Sequence, residues 1–230
     1  MKKITFCLLI STIGIFLSGC GKETPPDITL KKLNMQAVIF AQQENYPEAE
    51  KTAQEAVDLA EEYFTPDHGL RQSTLMTMGG IYFNEGKSEE ALPYFQQVIE
   101  SITEKEGKDS VKLIDPLSVM GNIYEKQGKN KESLGSYQRV LELTKKQSGE
   151  FHPDVATVLN KLATIAYNLK MVHEAEDYYR KLIEVSVRVY GKDHEEVAKV
   201  LDQVSLFYRL TGHEDAAKET ADNALKIRGK

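Results

Sequence analysis

The 230-residue sequence contains no tryptophan, two cysteines and seven prolines. Both cysteines, Cys7 and Cys20, fall at the N-terminal end. A disulfide-stapled fold is therefore excluded, and the rest of the chain must be stable by packing alone. Proline and glycine are scattered, which excludes collagen-like, polyproline and other low-complexity segments. Basic residues are outnumbered, 29 against 35 acidic, for a net charge of −6. That balance argues against a nucleic-acid binder, which needs a basic stripe, and against electrostatic docking on anionic lipid. No apolar run reaches the ~20 residues that a membrane-spanning helix requires. What remains, 41% hydrophobic and 28% charged residues, is the balance of a folded globular domain or a short repeat array.

The first residues read as an export signal. Lys2 and Lys3 precede a mostly apolar run from Ile4 to Phe16, too short to span and correctly placed for secretion. Leu17-Ser18-Gly19-Cys20 follows. This run resembles the lipobox of bacterial lipoproteins, which implies cleavage before Cys20 and acylation of its thiol. Two or three acyl chains on one residue anchor a protein stably where a single chain does not. Removal of Lys2 and Lys3 would leave 27 basic against 35 acidic residues, a net charge of −8. Gly21 stands where the Asp of inner-membrane retention would be. The resemblance thus implies the outer membrane, facing the periplasm, in a Gram-negative cell, and the extracytoplasmic face of the cell membrane otherwise. Residues 1–19 are read as the signal peptide. Residues 20–27, with Pro25 and Pro26, are read as the lipidated cysteine and an extended tether, reaching on the order of 20 Å.

Residues 28–230 are read as a repeat array. Gly79-Gly80-Ile81-Tyr82 and Gly121-Asn122-Ile123-Tyr124 are offset by 42 positions, as are Gly86 and Gly128, and Phe95 and Tyr137. One further step reaches Ala163, Ala175 and Tyr179; the next reaches Ser205, Tyr208, Gly212 and Ala217. One step back finds Ala37, Phe40, Ala49 and Ala53. Five units stay in register, near 28–69, 70–111, 112–153, 154–195 and 196–228. Apolar spacing within each unit is helical: Leu75, Met78, Gly79 and Tyr82 make one stripe, and Ala91, Phe95 and Val98 the next. Each unit is predicted to be two antiparallel helices of roughly 14 to 18 residues. Ser88 is the expected N-cap of its helix. The small residues at Gly79, Gly121, Ala163 and Ser205, facing Ala91, Ser133, Ala175 and Ala217, mark helix crossings where a larger side chain would hold the backbones apart.

These small and aromatic positions resemble the signature of the tetratricopeptide repeat. The long period and the turns His152-Pro153-Asp154-Val155-Ala156 and Tyr190-Gly191-Lys192-Asp193-His194 are similar to kinesin light chain-type repeats. The resemblance implies an all-α, right-handed superhelical solenoid of five hairpins, about ten helices. Departures are Lys170 for the inter-helix glycine, Ala166 for the aromatic, and an Ala-rich first unit. Lys218, Glu219, Asp222, Asn223 and Lys226 give the last helix a polar side suited to a terminal cap.

No residue constellation points to catalysis. The five histidines, His68, His152, His173, His194 and His213, lie at predicted turns or helix starts without cysteine or i, i+4 pairing, so neither a metal nor any cofactor is expected. Glu89-Glu90 and Glu195-Glu196 open helices, where the dipole favours acids. Tyr82, Tyr124 and Tyr208 occupy core positions. An enzyme is the least supported reading.

The resemblance places the first helix of each unit on a concave wall. Asparagine recurs there at Asn34, Asn84, Asn122, Asn160 and Asn168. Amides offer donors and an acceptor, so such a ladder can hold an extended peptide backbone. Tyr167 is one place out of step with the other aromatics, which predicts a ring turned toward the groove. The inner positions carry no basic pair one turn apart, so a clamp for a peptide C-terminus is not expected. The expected function is a membrane-anchored scaffold that binds protein or extended peptide in the groove, assisting assembly of a secretion, pilus or outer-membrane machine. An adaptor recruiting peptidoglycan-modifying enzymes is the alternative.

Overall fold

The computed structural model describes residues 24–229; the signal, Cys20 and the start of the tether lie outside them. The described residues form ten α-helices and no strand. In chain order they are α1 (Pro26–Gln42), α2 (Tyr46–Tyr63), α3 (Gly69–Glu85), α4 (Ser88–Glu106), α5 (Ile114–Lys126), α6 (Asn130–Ser148), α7 (Pro153–Asn168), α8 (Val172–Tyr190), α9 (Glu195–Leu210) and α10 (Glu214–Arg228). Successive pairs are antiparallel hairpins, and the hairpins stack into a solenoid.

The turns repeat as strictly as the helices. Each hairpin bends through one residue of positive φ, and these are Glu44 (58°), Gly86 (92°), Gly128 (71°), Lys170 (63°) and Gly212 (80°). The register therefore imposes the left-handed conformation even where the sequence lacks the glycine that adopts it freely. The next hairpin opens on a side-chain cap with the same period. His68 Nδ1 accepts from Leu70 N at 3.2 Å, Ser110 Oγ from Lys112 N at 3.3 Å, His152 Nδ1 from Asp154 N at 3.2 Å and His194 Nδ1 from Glu196 N at 3.2 Å. Three of the five histidines thus serve as N-caps.

Several local expectations are corrected. The tether does not stay extended through Asp27, because α1 begins at Pro26, and proline is well suited to a first helical position. Ser88 is the first residue of α4, the N-cap place falling to Lys87. The helices run from 13 to 19 residues, a wider span than expected. The short one, α5, follows a 3₁₀ turn at Val111–Leu113. Pro116 explains this, since its ring would clash with the carbonyl of Lys112 in a continuous α-helix.

The core follows the stripes. Leu75, Met78 and Val98 are buried in the second unit, and Leu159, Leu162 and Leu182 in the fourth. A Cβ on Gly79 would stand 2.9 Å from Phe95 Cε2, and one on Gly121 would stand 2.7 Å from Tyr137 Cε2. The small residue therefore seats the ring of the facing helix; close backbone approach is not the whole reason for it. Tyr82, Tyr124 and Tyr208 are half-buried at the core's edge, not enclosed as expected.

Between units the joints combine apolar packing with polar contacts: Lys87 to Glu50 at 2.6 Å, Lys129 to Glu89 at 3.8 Å, Lys161 to Glu125 at 2.6 Å, and the Tyr208 hydroxyl to Glu176 at 3.1 Å. Partly exposed pairs contribute ~0–1 kcal/mol each, so they set register more than stability. At the C-terminal end Arg228 pairs with Glu195 at 3.1 Å and Asp202 at 2.6 Å. Earlier units bury Ser186 and Thr144 at that same position.

Candidate protein-binding groove

The first helices, α1, α3, α5, α7 and α9, form one wall. Only α1 and α3 pack directly on one another to any extent. Later neighbours are held apart by the second helix between them, so crevices open along the wall. A hollow of about 560 Å³ opens between α1 and α3, and a more apolar crevice lies between α7 and α9 with α8 as its floor. It consists of two adjoining depressions of about 210 Å³ each. One is lined by Thr157, Leu182, Ser186, Tyr190 and Val200, the other by Thr164, Tyr167, Tyr179, Leu206, Phe207 and Leu210. Asn160 and Gln203 line both.

Local sequence explains the character of this crevice. The wall position at Leu206 is occupied in the other units by Val38, Gly80, Asn122 and Thr164; that at Leu210 by Gln42, Asn84, Lys126 and Asn168. Leu206 and Leu210 are 53% and 59% exposed, so the fifth unit turns a mostly polar wall apolar. The ionic groups at its mouth are satisfied, Lys199 meeting Glu196 at 2.6 Å. The interior offers aliphatic and aromatic surface plus two amides, Asn160 and Gln203, that make no side-chain hydrogen bond in the structure. Such a surface accepts an uncharged extended segment: amides for its backbone, apolar surface for its side chains.

The predicted residues divide into two groups. Asn160 and Tyr167 meet at the crevice. Ala166 is fully buried in the core place, and Tyr167 is half-buried, its ring edge-on to Phe207 at 6.0 Å between centroids. The ring thus packs on the neighbouring helix and lines the groove at once. Asn168 is exposed beyond the crevice. Asn84 lines a separate hollow between α1 and α3 with Val38, Met76 and Gly80.

Each of the other two amides makes one internal hydrogen bond, and Asn34 Oδ1 is buried without a partner. Asn34 Nδ2 donates to Thr74 Oγ1 at 2.8 Å, joining α1 to α3. Asn122 Oδ1 accepts from the Tyr137 hydroxyl at 2.7 Å. Burial, with Glu125 nearby, pushes that phenol up to about 12. It therefore stays a neutral donor, and this bond locks α5 to α6. The five asparagines do not form one continuous ladder.

Leu206 falls on the wall pattern legible in the sequence, whereas sequence reasoning missed Gln203 and Leu210. It also missed that Phe83 occupies the place of Tyr167 two units earlier, covered by Lys126 Nζ at 3.9 Å. Among the described residues no cluster of acidic, histidine or cysteine side chains is arranged to hold a metal. No described helix is long and apolar enough to cross a membrane.

Solved structures confirm the architecture. The nearly identical TPR-like repeats named as kinesin light chain from Podosopora anserina superpose with a TM-score of 0.77 at 16% identity, over 90% of this chain and 97% of that one. BtubC of P. vanneervenii superposes at 0.73 and 19% identity, over 89% and 81%. The tetratricopeptide sensor region of a signal-transduction ATPase from Pyrococcus horikoshii gives 0.67 and 19%, over 86% of this chain and 30% of that protein. At such identities the likeness speaks for the fold alone. No curated protein sequence matches. The family model of the MalT-like TPR region matches residues 33–227, nearly the whole array, and the chain belongs to that family.

Proposed function

We propose that this protein is a lipid-anchored interaction scaffold, held at the cell envelope by acylated Cys20, that captures a partner protein through the inner wall of its array. The observation that carries the binding half is the α7–α9 crevice. It exposes Leu206 and Leu210 beside two unengaged amides, Asn160 and Gln203. Exposed leucines in a repeat mostly polar at those positions are unfavourable in water, and a bound segment would remove them from it. The anchoring half rests on Leu17-Ser18-Gly19-Cys20 behind the apolar run. Together they suit a component that assists assembly of an envelope machine such as a secretion, pilus or outer-membrane complex.

The test joins both halves. Palmitate labelling of the wild type and of Cys20→Ser should show incorporation in the first alone. Affinity capture from the native envelope should then recover a partner with the acylated protein. Equal labelling of the two forms would remove the anchor from this reading.

A further inference from the structure

The first helix is unlike the others: it is apolar on two opposite faces. Leu30, Ala37 and Phe40 face the core, the first two fully buried. On the far side Ile28, Met35 and Ile39 are 42%, 62% and 43% exposed. At ~100° per residue these three fall within roughly 40° of arc, forming a narrow ridge. Lys31 and Lys32 flank the ridge, one on each side, both exposed.

In every later unit the preceding hairpin buries the Ile39 position, while the equivalents of Ile28 and Met35, such as Asp154 and Gln203, stay exposed or only half-buried. The equivalents of Ile39 are Ile81, Ile123, Ile165 and Phe207, all at or below 4% exposure. Among the described residues no hairpin precedes the first unit, and its face is not made for one. Gln36 stands where the others bury Met78, Met120, Leu162 and Val204. Thr29 and Lys32 likewise replace apolar residues such as Val155 and Val158. A face with its broad contact residues made polar, but keeping a central apolar ridge bordered by lysines, has the composition of a helix lying at a lipid interface. There the apolar ridge enters the acyl boundary and the lysine stems reach back to the headgroups.

The position of this face in the chain selects its occupant. Only Gly21 to Pro25 separate Cys20 from α1, a reach of ~17 Å at full extension. With Cys20 acylated, α1 cannot leave the neighbourhood of the bilayer. We infer that the outer face of α1 docks on the membrane surface, so that the array is oriented by its first helix and not merely tied to the bilayer. This inference rests on the lipoprotein reading. The body's net negative charge does not oppose it, because the ridge supplies the attraction and Lys32 the local positive charge, Lys31 being paired with Asp27 at 3.4 Å. A second copy is a poorer occupant, since pairing two such faces would bring four lysines together.

The test uses the acylated full-length protein on phosphatidylethanolamine–phosphatidylglycerol vesicles. An environment-sensitive fluorophore is placed singly at Met35→Cys, Ile39→Cys and Leu225→Cys, and acylation is read separately by mass. Labels at 35 and 39 should shift to the blue and lose emission to lipid-borne quenchers, while the label at 225, on the last helix, behaves as in water. Acylated protein that floats with vesicles but reports water at all three positions would overturn the docking and leave the anchor standing. Copy-to-copy cross-linking through position 35 would overturn it in favour of a dimer. Wild-type protein that carries no acyl group by mass would remove the anchoring reading and this inference with it.

Discussion

Gly121 lies beneath the ring of Tyr137, so close that a Cβ there would stand 2.7 Å from Cε2 and 2.9 Å from Cδ2. The ring cannot retreat, because its hydroxyl is committed to Asn122 Oδ1 and the Ser118 carbonyl. Two effects of opposite sign therefore compete in Gly121→Ala. Relief of helical glycine gains ~0.5–1 kcal/mol, while overpacking in a filled core costs ~1–3 kcal/mol. Packing should win, and the variant should lose about 1 kcal/mol or more. Gly135, in α6, has open space where its Cβ would go, so Gly135→Ala should gain ~0.5–1 kcal/mol. Urea midpoints moving in opposite directions would establish the contact; two shifts of the same sign would refute it.

The periodic caps give a second prediction. Ser110 does with a hydroxyl what His68, His152 and His194 do with an imidazole nitrogen. His152→Ser should therefore preserve stability, whereas His152→Ala should cost ~0.5–2 kcal/mol, the usual loss of an N-cap. Thermal or urea unfolding of the two variants decides it. If alanine is tolerated as well as serine, the imidazole is there for another reason.

In the groove, Asn160→Ala with Gln203→Ala removes both unengaged amides and no internal hydrogen bond. Partner capture should weaken by ~2 kcal/mol or more, about thirtyfold, with unfolding unchanged. Tyr167 belongs in a separate variant, because its contact with Phe207 makes a truncation costly to the fold as well. Charge reversals at exposed Lys181 and Glu184 of α8 serve as control. Binding lost in the control and kept in the groove double would move the site to the second helices.

The sequence displayed the period, and with it the helices, turns and ring-on-glycine seats, because a fixed repeat forces equivalent residues into equivalent environments. Even the strained bends at Glu44 and Lys170 follow from register. The cap positions were equally legible as residues 68, 110, 152 and 194, had they been aligned like the glycines. The direction of an amide was not legible. Asn34, Asn122 and Asn160 share a wall, yet the nearby hydroxyls of Thr74 and Tyr137 claim the first two. That depends on distances of a few tenths of an ångström, which spacing along the chain does not encode. Tyr167 shows a further limit, since half-burial lets one ring pack on Phe207 and line the groove at once.

The joints between hairpins have a consequence for assembly. Inside the array a carboxylate of one unit meets a lysine or tyrosine of the next, as Glu50, Glu125 and Glu176 do. Counting forward by the period, Glu50 and Glu176 become Lys218 in the last unit, and Glu125 becomes Arg209. Counting back, Lys87 and Lys129 become Asn45, and Lys161 becomes Met35. Glu89 alone keeps an acid, Asp215, so a second molecule added end to end would find cations at the other two places where the joint needs acids, and no cation opposite any of them. The polar contacts that join the five hairpins are thus not reproduced between the two ends of the array, which disfavours end-to-end growth into a fibre.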